Sequence, residues 1–355
     1  MFATQFINDF SSLGSRLLSW SRGEVTLPLL DRAVDEAYRS NPFFTPYMQR
    51  NAIASIARCF LCREELERWL GNYREAIESE NRGENLLKTG IIMAGNIPLV
   101  GFHDFLSALA AQCCCYIKLS SKDRRLLPVL AGMLVEMNHE WGERIRFLER
   151  EQMDLLHGME RLISTGSDAT AGSVASEFSD VPSLIRGRRF SYAVVDDDSS
   201  EALKGLEEDI FLYYGLGCRN VSYLLVKSGA DIGKVVSYLK NLAGEGNKRN
   251  NFILSSGISA DRNYLDIYRR NKALYTMEGK CFIDGGFFLM VESDEVTHPL
   301  GVVGYRKISD DKEILDFERV FGEKIQKRIT TFGMAQSPAV DDYADGADTM
   351  RFLLG

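Results

Sequence analysis

Gly90-Ile91-Ile92-Met93-Ala94-Gly95-Asn96-Ile97-Pro98-Leu99-Val100-Gly101 is the stretch that decides the fold. Ile91–Ala94 is apolar without alternation, which is how a strand buried on both faces reads. Gly95 and Asn96 end the run, Pro98 suits the first turn of a helix, and Leu99–Gln112 continues at helical spacing. The chain then repeats this strand, turn and helix. Cys113–Leu119, Arg144–Leu148 and Arg161–Ser164 are further buried-strand candidates, with Arg124–Met137 and Gln152–Gly158 as helices between them. Apolar strands alternating with helices predict an α/β fold with a parallel sheet covered on both faces. Ligands of such sheets bind outside the carboxyl ends of the strands.

Before this core the chain reads as helix. Thr45-Pro46 is a cap and first-turn pair, Ile53, Ile56, Ala57 and Phe60 recur at helical spacing, and Gly71 is a stop. After about residue 190 a second α/β section follows. Its strand candidates are Phe190–Val195, Ser222–Val226, Phe282–Val291 (centred on Gly285-Gly286) and Gly301–Lys307. Its helix candidates are Glu201–Tyr214 and Ile232–Leu242.

With 45% hydrophobic residues in 355, the chain is too apolar for disorder and long enough for one or two cores. The net charge of −8 is spread without a basic stripe, which argues against nucleic-acid binding. Met1–Trp20 lacks the pattern of a secretory signal, and the apolar stretch Ile91–Leu119 is broken by Gly95, Pro98, His103 and Asp104. A soluble, cytoplasmic protein is therefore expected, with no membrane span. Seven cysteines, three of them adjacent at Cys113–Cys115, fit reduced thiols better than a disulfide framework. Cys59-x-x-Cys62 has no second ligand pair nearby, so no metal site is expected.

The chemistry concentrates in four places. In Tyr213-Tyr214-Gly215-Leu216-Gly217-Cys218-Arg219-Asn220, two glycines place pliant backbone before a cysteine, between a predicted helix and a predicted strand. Such a loop can present a sulfur nucleophile and let N–H groups approach an oxyanion, while a small buried cysteine would look the same in sequence. Asn96 brings a side-chain amide to the turn after the first sheet strand. Lys118 ends a strand and is followed by Ser120 and Ser121, a pattern that suits a ribose or phosphate, or simply a capped helix. Ser164-Thr165-Gly166-Ser167-Asp168 is a further small-residue turn facing the same sheet edge.

Taken together, Ala94–Asp104, Lys118–Asp123, Ser164–Ser167, Gly215–Ser222 and Asp342–Thr349 resemble the LuxC-type acyl-CoA reductases, a branch of the aldehyde dehydrogenase superfamily, from about residue 40 to the end. The resemblance implies an aldehyde-dehydrogenase-like fold, with a Rossmann-type parallel-sheet cofactor domain and an α/β catalytic domain. The division it implies is a helical segment at 1–85, a nicotinamide-binding domain at 86–190, a catalytic cysteine domain at 191–335, and a segment at 336–355 returning to the core. It also implies NADPH-dependent reduction of an acyl-CoA or acyl-carrier thioester to an aldehyde through a thioester on Cys218. Asn96, with the cysteine's own N–H, would form the oxyanion hole. Lys118 and Ser120 would lie near the adenosine ribose, and Gly166 and Ser167 near the pyrophosphate and nicotinamide. An acyl-protein synthetase partner and a homodimer or higher assembly are implied by the resemblance alone. The glutamate motif with which hydrolytic relatives activate water is not evident around Phe190–Asp196, which fits a CoA-linked enzyme. Two other readings stay open on the residues: a cofactor-independent acyltransferase or thioesterase using the same cysteine, and a non-catalytic subunit of a fatty acid reductase complex.

Overall fold

A computed structural model describes residues 2–79, 86–243, 253 and 256–355. The chain forms two compact units, Met1–Arg188 with Pro338–Gly355, and Arg189–Ser337.

The first unit opens with five helices, α1 (Phe2–Ser21), α2 (Pro28–Ser40), α3 (Pro46–Cys59), α4 (Arg63–Gly71) and α5 (Arg74–Ser79). Proline begins both α2 and α3, where its fixed φ suits the first turn and its missing N–H is not needed. Thr45 caps α3 by accepting from the Met48 N–H at 3.3 Å. Strands β1 (Lys88–Ile92), β2 (Cys114–Lys118), β3 (Ile145–Phe147), β4 (Arg161–Thr165) and β5 (Ser183–Arg186) then make a five-stranded sheet in the order β3-β2-β1-β4-β5. Every pairing in it is parallel. Helices α6 (Phe102–Ala110), α7 (Leu126–Met137), α8 (Glu140–Arg144) and α9 (Asp168–Glu177) connect the strands.

Both faces of this sheet are covered, as the unbroken apolar runs require. Ile91, Ile117 and Ile163 pack into one core with Phe102, Phe105 and Leu109 of α6, and Ile92 and Leu162 pack into another with Leu156, Val174 and Phe178. A buried ion pair closes the unit. Arg186, at the end of β5, donates to both carboxylate oxygens of Asp104 at 2.8 and 2.9 Å and to Thr349 Oγ1 at 2.8 Å. Tyr343, from the same C-terminal stretch, accepts from Trp69 Nε1 at 2.7 Å.

The second unit is a six-stranded sheet of β6 (Phe190–Val195), β7 (Val221–Lys227), β8 (Ile283–Asp284), β9 (Leu289–Glu292), β10 (Val302–Ile308) and β11 (Ile325–Ile329), in the order β11-β6-β7-β10-β9-β8. Only β8–β9 is antiparallel. Among the described residues its helices include α10 (Leu206–Phe211), α11 (Ile232–Asn241), α12 (Arg262–Met277) and α13 (Asp311–Phe321); α14 (Thr349–Leu354) belongs to the first unit.

Several elements differ from the sequence expectation. The helix expected over Glu201–Tyr214 shrinks to α10, because Gly205 is left-handed (φ 92°) and abuts the Gly333 backbone, where a Cβ would lie 2.6 Å from its nitrogen. The strand expected over Phe282–Val291 is a hairpin turned at Gly285-Gly286. The place of a Gly285 Cβ is filled by the Phe288 ring, and Gly286 has φ 87°. Gln152–Gly158 lies in a 3-10 helix, Arg150–Gly158. Strands β5 and β11 were not anticipated. Both are edge strands, and β11 exposes Lys327 and Arg328, so neither shows the apolar run of a central strand.

Candidate active site

In the first unit the strand order reverses between β1 and β4, the point at which open α/β sheets bind ligands. Asn96, Lys118, Ser120, Gly166 and Ser167 all follow or end strands β1, β2 and β4 at that carboxyl edge. The loop after β1 lies against the turn after β2. A Cβ on Gly95 would stand 2.4 Å from Ser120 Oγ and 3.3 Å from the Asp123 nitrogen, so only glycine fits there without displacement. Leu99 is left-handed at φ 58°, which costs a branched residue roughly 1–2 kcal/mol. Its N–H donates to Asp123 Oδ2 at 2.7 Å. Burial pushes the Asp123 carboxyl up to about 7.

The other members of this edge are simpler. Lys118 ends β2 at this edge and makes no ion pair among the described residues. Ser120 Oγ accepts from the Lys122 N–H at 3.3 Å. The hydroxyls of Ser120 and Ser121 therefore sit in a turn before α7, which begins only at Leu126. Ser167 is the N-cap of the ten-residue α9, accepting from the Thr170 N–H at 3.2 Å. A helix start of this kind favours a phosphate oxygen. The Gly166 N–H bonds to the Arg186 carbonyl at 3.1 Å, extending the β4–β5 pairing up to the turn.

The second unit holds Cys218, half-buried in the loop between Leu212–Gly215 and the first residue of β7. Tyr213 (φ 54°), Tyr214 (φ 59°) and Gly215 (φ 73°) are left-handed in succession. For the tyrosines this costs roughly 1–2 kcal/mol each, offset by burial of both rings, which are 5% and 2% exposed. Strain of this kind persists only where its surroundings over-determine it, and it gathers at functional sites.

The surroundings are identifiable. Asn220, 1% exposed, accepts from the Gly217 N–H at 2.9 Å and donates to the carbonyls of Asp209 at 3.0 Å and Leu212 at 2.9 Å. Ser191 of β6 donates to the Cys218 carbonyl at 2.9 Å, and Tyr214 donates to Asp261 at 3.1 Å. Asp209 fixes the Gly333–Ala335 segment by accepting both backbone N–H groups at 2.8 and 2.9 Å. Burial nevertheless raises its carboxyl to about 7. Asn220, Asp209, Ser191 and Asp123 were not singled out by sequence reasoning. For Asn220 the sequence offered only its place at the end of a glycine-rich turn, three residues after Gly217.

Several other cysteine, histidine, aromatic and acidic side chains are engaged in pairing or packing. Cys62 donates to Glu64 at 2.6 Å, and no cluster of three or more metal-ligating side chains occurs among the described residues. His103 bonds to the Val340 carbonyl at 2.6 Å, and His157 lies against Phe178. His298 is held below its ordinary pKa by burial. Phe211, Phe287 and Phe288 pack on one another with ring centres 5.0–5.1 Å apart and are 3% exposed or less. Glu278 pairs with Lys280, and Glu292 accepts from Tyr305. No described helix is long and apolar enough to cross a membrane.

Solved structures share this architecture and define the class as the aldehyde dehydrogenase fold. Aldehyde dehydrogenase 21 from Physcomitrella patens, crystallised with succinate, matches with a TM-score of 0.60 at 13% identity, over 98% of this chain and 84% of that one. A benzaldehyde dehydrogenase from Corynebacterium glutamicum, described as NAD-dependent, matches at 0.60 and 14% over 88% and 75%. An acetylating aldehyde dehydrogenase from Geobacillus thermoglucosidasius matches at 0.56 and 14% over 91% and 75%. No curated protein matches. The family of acyl-CoA reductases (LuxC) matches residues 48–277, and the chain belongs to that family.

Proposed function

We propose that this protein reduces an acyl thioester to an aldehyde with NADPH, passing the acyl group through Cys218. The observation that carries this is the glycine-flanked Cys218 turn, held in a strained left-handed conformation by Asn220 in a chain of the acyl-CoA reductase family. The Cys218 sulfur, as thiolate, attacks the acyl carbonyl, and collapse of the tetrahedral adduct expels the donor thiolate and leaves a Cys218 thioester. Exchange of one thioester for another is nearly balanced, so this step needs orientation more than driving force. The Asn96 amide and the Cys218 N–H are assigned to the oxyanion; one such donor is worth roughly 3 kcal/mol. When bound, the nicotinamide supplies hydride to the thioester carbonyl carbon. Cys218 then leaves as thiolate, the aldehyde is released, and the nucleophile is restored.

The residues of the first sheet's carboxyl edge fit such a cofactor. Lys118 and Ser120 are assigned to the adenosine ribose, with Gly166, Ser167 and the start of α9 taking the pyrophosphate. These assignments place the cofactor domain within 86–190 and the catalytic domain within 191–335. NADPH is preferred to NADH on the family resemblance and on the cations Lys118 and Lys122 around the same turn; Arg124 beside them pairs with Glu149 at 3.0 Å.

The test is cofactor oxidation with NADPH and with NADH against a panel of acyl-CoAs, for wild type and Cys218→Ala. Oxidation that requires acyl-CoA and falls roughly a thousandfold or more in the variant is expected. Acyl transfer to Cys218 without any cofactor oxidation would replace the reductase with an acyltransferase.

A further inference from the structure

We propose that Asp123 is a positioning residue for this reaction, holding the Asn96 amide in place by clamping the segment that carries it at both ends; this rests on the reading of Asn96 as the oxyanion donor. One residue before Asn96, Gly95 lies against Ser120 and the Asp123 backbone, with no room for a Cβ. Three residues after it, the Leu99 N–H donates to the Asp123 carboxylate at 2.7 Å. The turn that does both is itself closed by the Asp123 N–H on the Ser120 carbonyl at 3.1 Å. Asn96-Ile97-Pro98 is thus a short bridge with both abutments on one turn.

Two details show that the carboxylate is more than a filler. Leu99 is left-handed, a conformation a branched side chain adopts only when something holds it, and its single described backbone N–H partner is Asp123. Asp123 is 9% exposed, and Oδ1 has no hydrogen-bond partner among the described residues. Burying a carboxyl for one backbone bond is costly and not needed for packing, since an apolar side chain of that size would fill the space more cheaply. Its position makes sense if the geometry of the Asn96 loop is what it secures. Because Ser120 belongs to the same turn, Asp123 also ties the oxyanion loop to the lysine-bearing end of β2.

The experiment is a double-mutant cycle of Asp123→Ala and Asn96→Ala, with Asp123→Asn as the conservative variant, using NADPH and the acyl-CoA the wild type turns over fastest. Asp123→Ala is expected to lower kcat about ten- to a hundredfold, the penalty of an ångström-scale misplacement, while the KM for NADPH moves less than about threefold. Asp123→Asn keeps an oxygen for the Leu99 N–H and is expected to restore most of kcat. In an Asn96→Ala background, Asp123→Ala should cost nothing further. Additive losses, or kcat no better for Asn than for Ala in folded proteins, overturn the proposal. Should Asp123→Ala not fold, Asp123→Glu, which shifts the same acceptor by about one bond, takes its place in the cycle. Full kcat in Asn96→Ala alone would instead refute the oxyanion reading on which the clamp rests.

Discussion

In the Cys218 turn three successive residues are left-handed and one buried amide, Asn220, closes the loop on itself. In the Asn96 loop a single residue, Leu99, is left-handed, and closure comes from another segment, the turn ending at Asp123. The Cys218 turn is closed on itself by Asn220 through Asp209, Leu212 and Gly217, with Ser191 of β6 and Asp261 bonding to it from farther away in the chain. The amide is held by a residue reached only after the chain has passed through α6 and β2. A locally built turn depends on the residues that allow and lock its own backbone. A clamp assembled by the sheet depends on close approach between two strand ends. The two should fail differently.

The largest effect is expected from Asn220→Ala. It removes three hydrogen bonds in one step and leaves the Gly217 N–H and two buried carbonyls unpaired. A loss of about 3–5 kcal/mol in urea-unfolding free energy is expected, with kcat falling even where the protein remains folded. A loss under about 1 kcal/mol would show that the left-handed backbone is held by something else.

Titration probes the two regions in parallel. Both carry a buried carboxyl raised to about 7, Asp123 beside the Asn96 loop and Asp209 behind the Cys218 turn. A carboxyl with a raised folded pKa contributes stability that is fully present below its unfolded value of about 4 and is lost as pH rises through about 7. Stability, and melting temperature with it, should therefore fall between about pH 4 and about pH 7, by on the order of 1 kcal/mol per pH unit for each group. Asp123→Asn and Asp209→Asn should each flatten that slope. An unchanged slope in either variant would show that its carboxyl is already ionised at low pH, with solvent or backbone N–H groups outweighing burial.

Smaller effects come from the glycines. Gly95→Ala pushes a methyl into Ser120 and should destabilise by about 1–3 kcal/mol, with weaker cofactor binding measured by fluorescence quenching. Gly215→Ala faces a left-handed backbone and the Ile210 carbonyl at 3.0 Å; about 1–2 kcal/mol is expected. Equal changes in cofactor affinity from the two would remove the distinction between clamp and turn.

Much of this was legible in the residues. The runs Ile91–Ala94, Cys113–Leu119 and Arg161–Ser164 are apolar because their strands are central, and they gave the sheet; β5 and β11 were missed because edges do not need to be apolar. The glycines before Cys218 marked a special turn. They did not reveal that Tyr213 and Tyr214 would be left-handed, since that rests on Asn220, on Ser191 from β6 and on ring burial. The helix drawn through Glu201–Tyr214 failed for a related reason: Gly205 is left-handed against Gly333, which lies far along the chain. Asp123 looked like part of a ribose-binding turn. Its bond to Leu99 depends on parallel pairing of β1 with β2, a relation that residue spacing does not carry.

The central claim, that the acyl group passes through Cys218, is tested most directly by intact mass. Protein is mixed with acyl-CoA in the absence of NADPH, the adduct is mapped by peptide digestion, and NADPH is then added. The predicted result is one acyl group on Cys218 that disappears with release of one aldehyde. An adduct on another residue, or a Cys218 adduct that NADPH leaves in place while turnover proceeds, would contradict it.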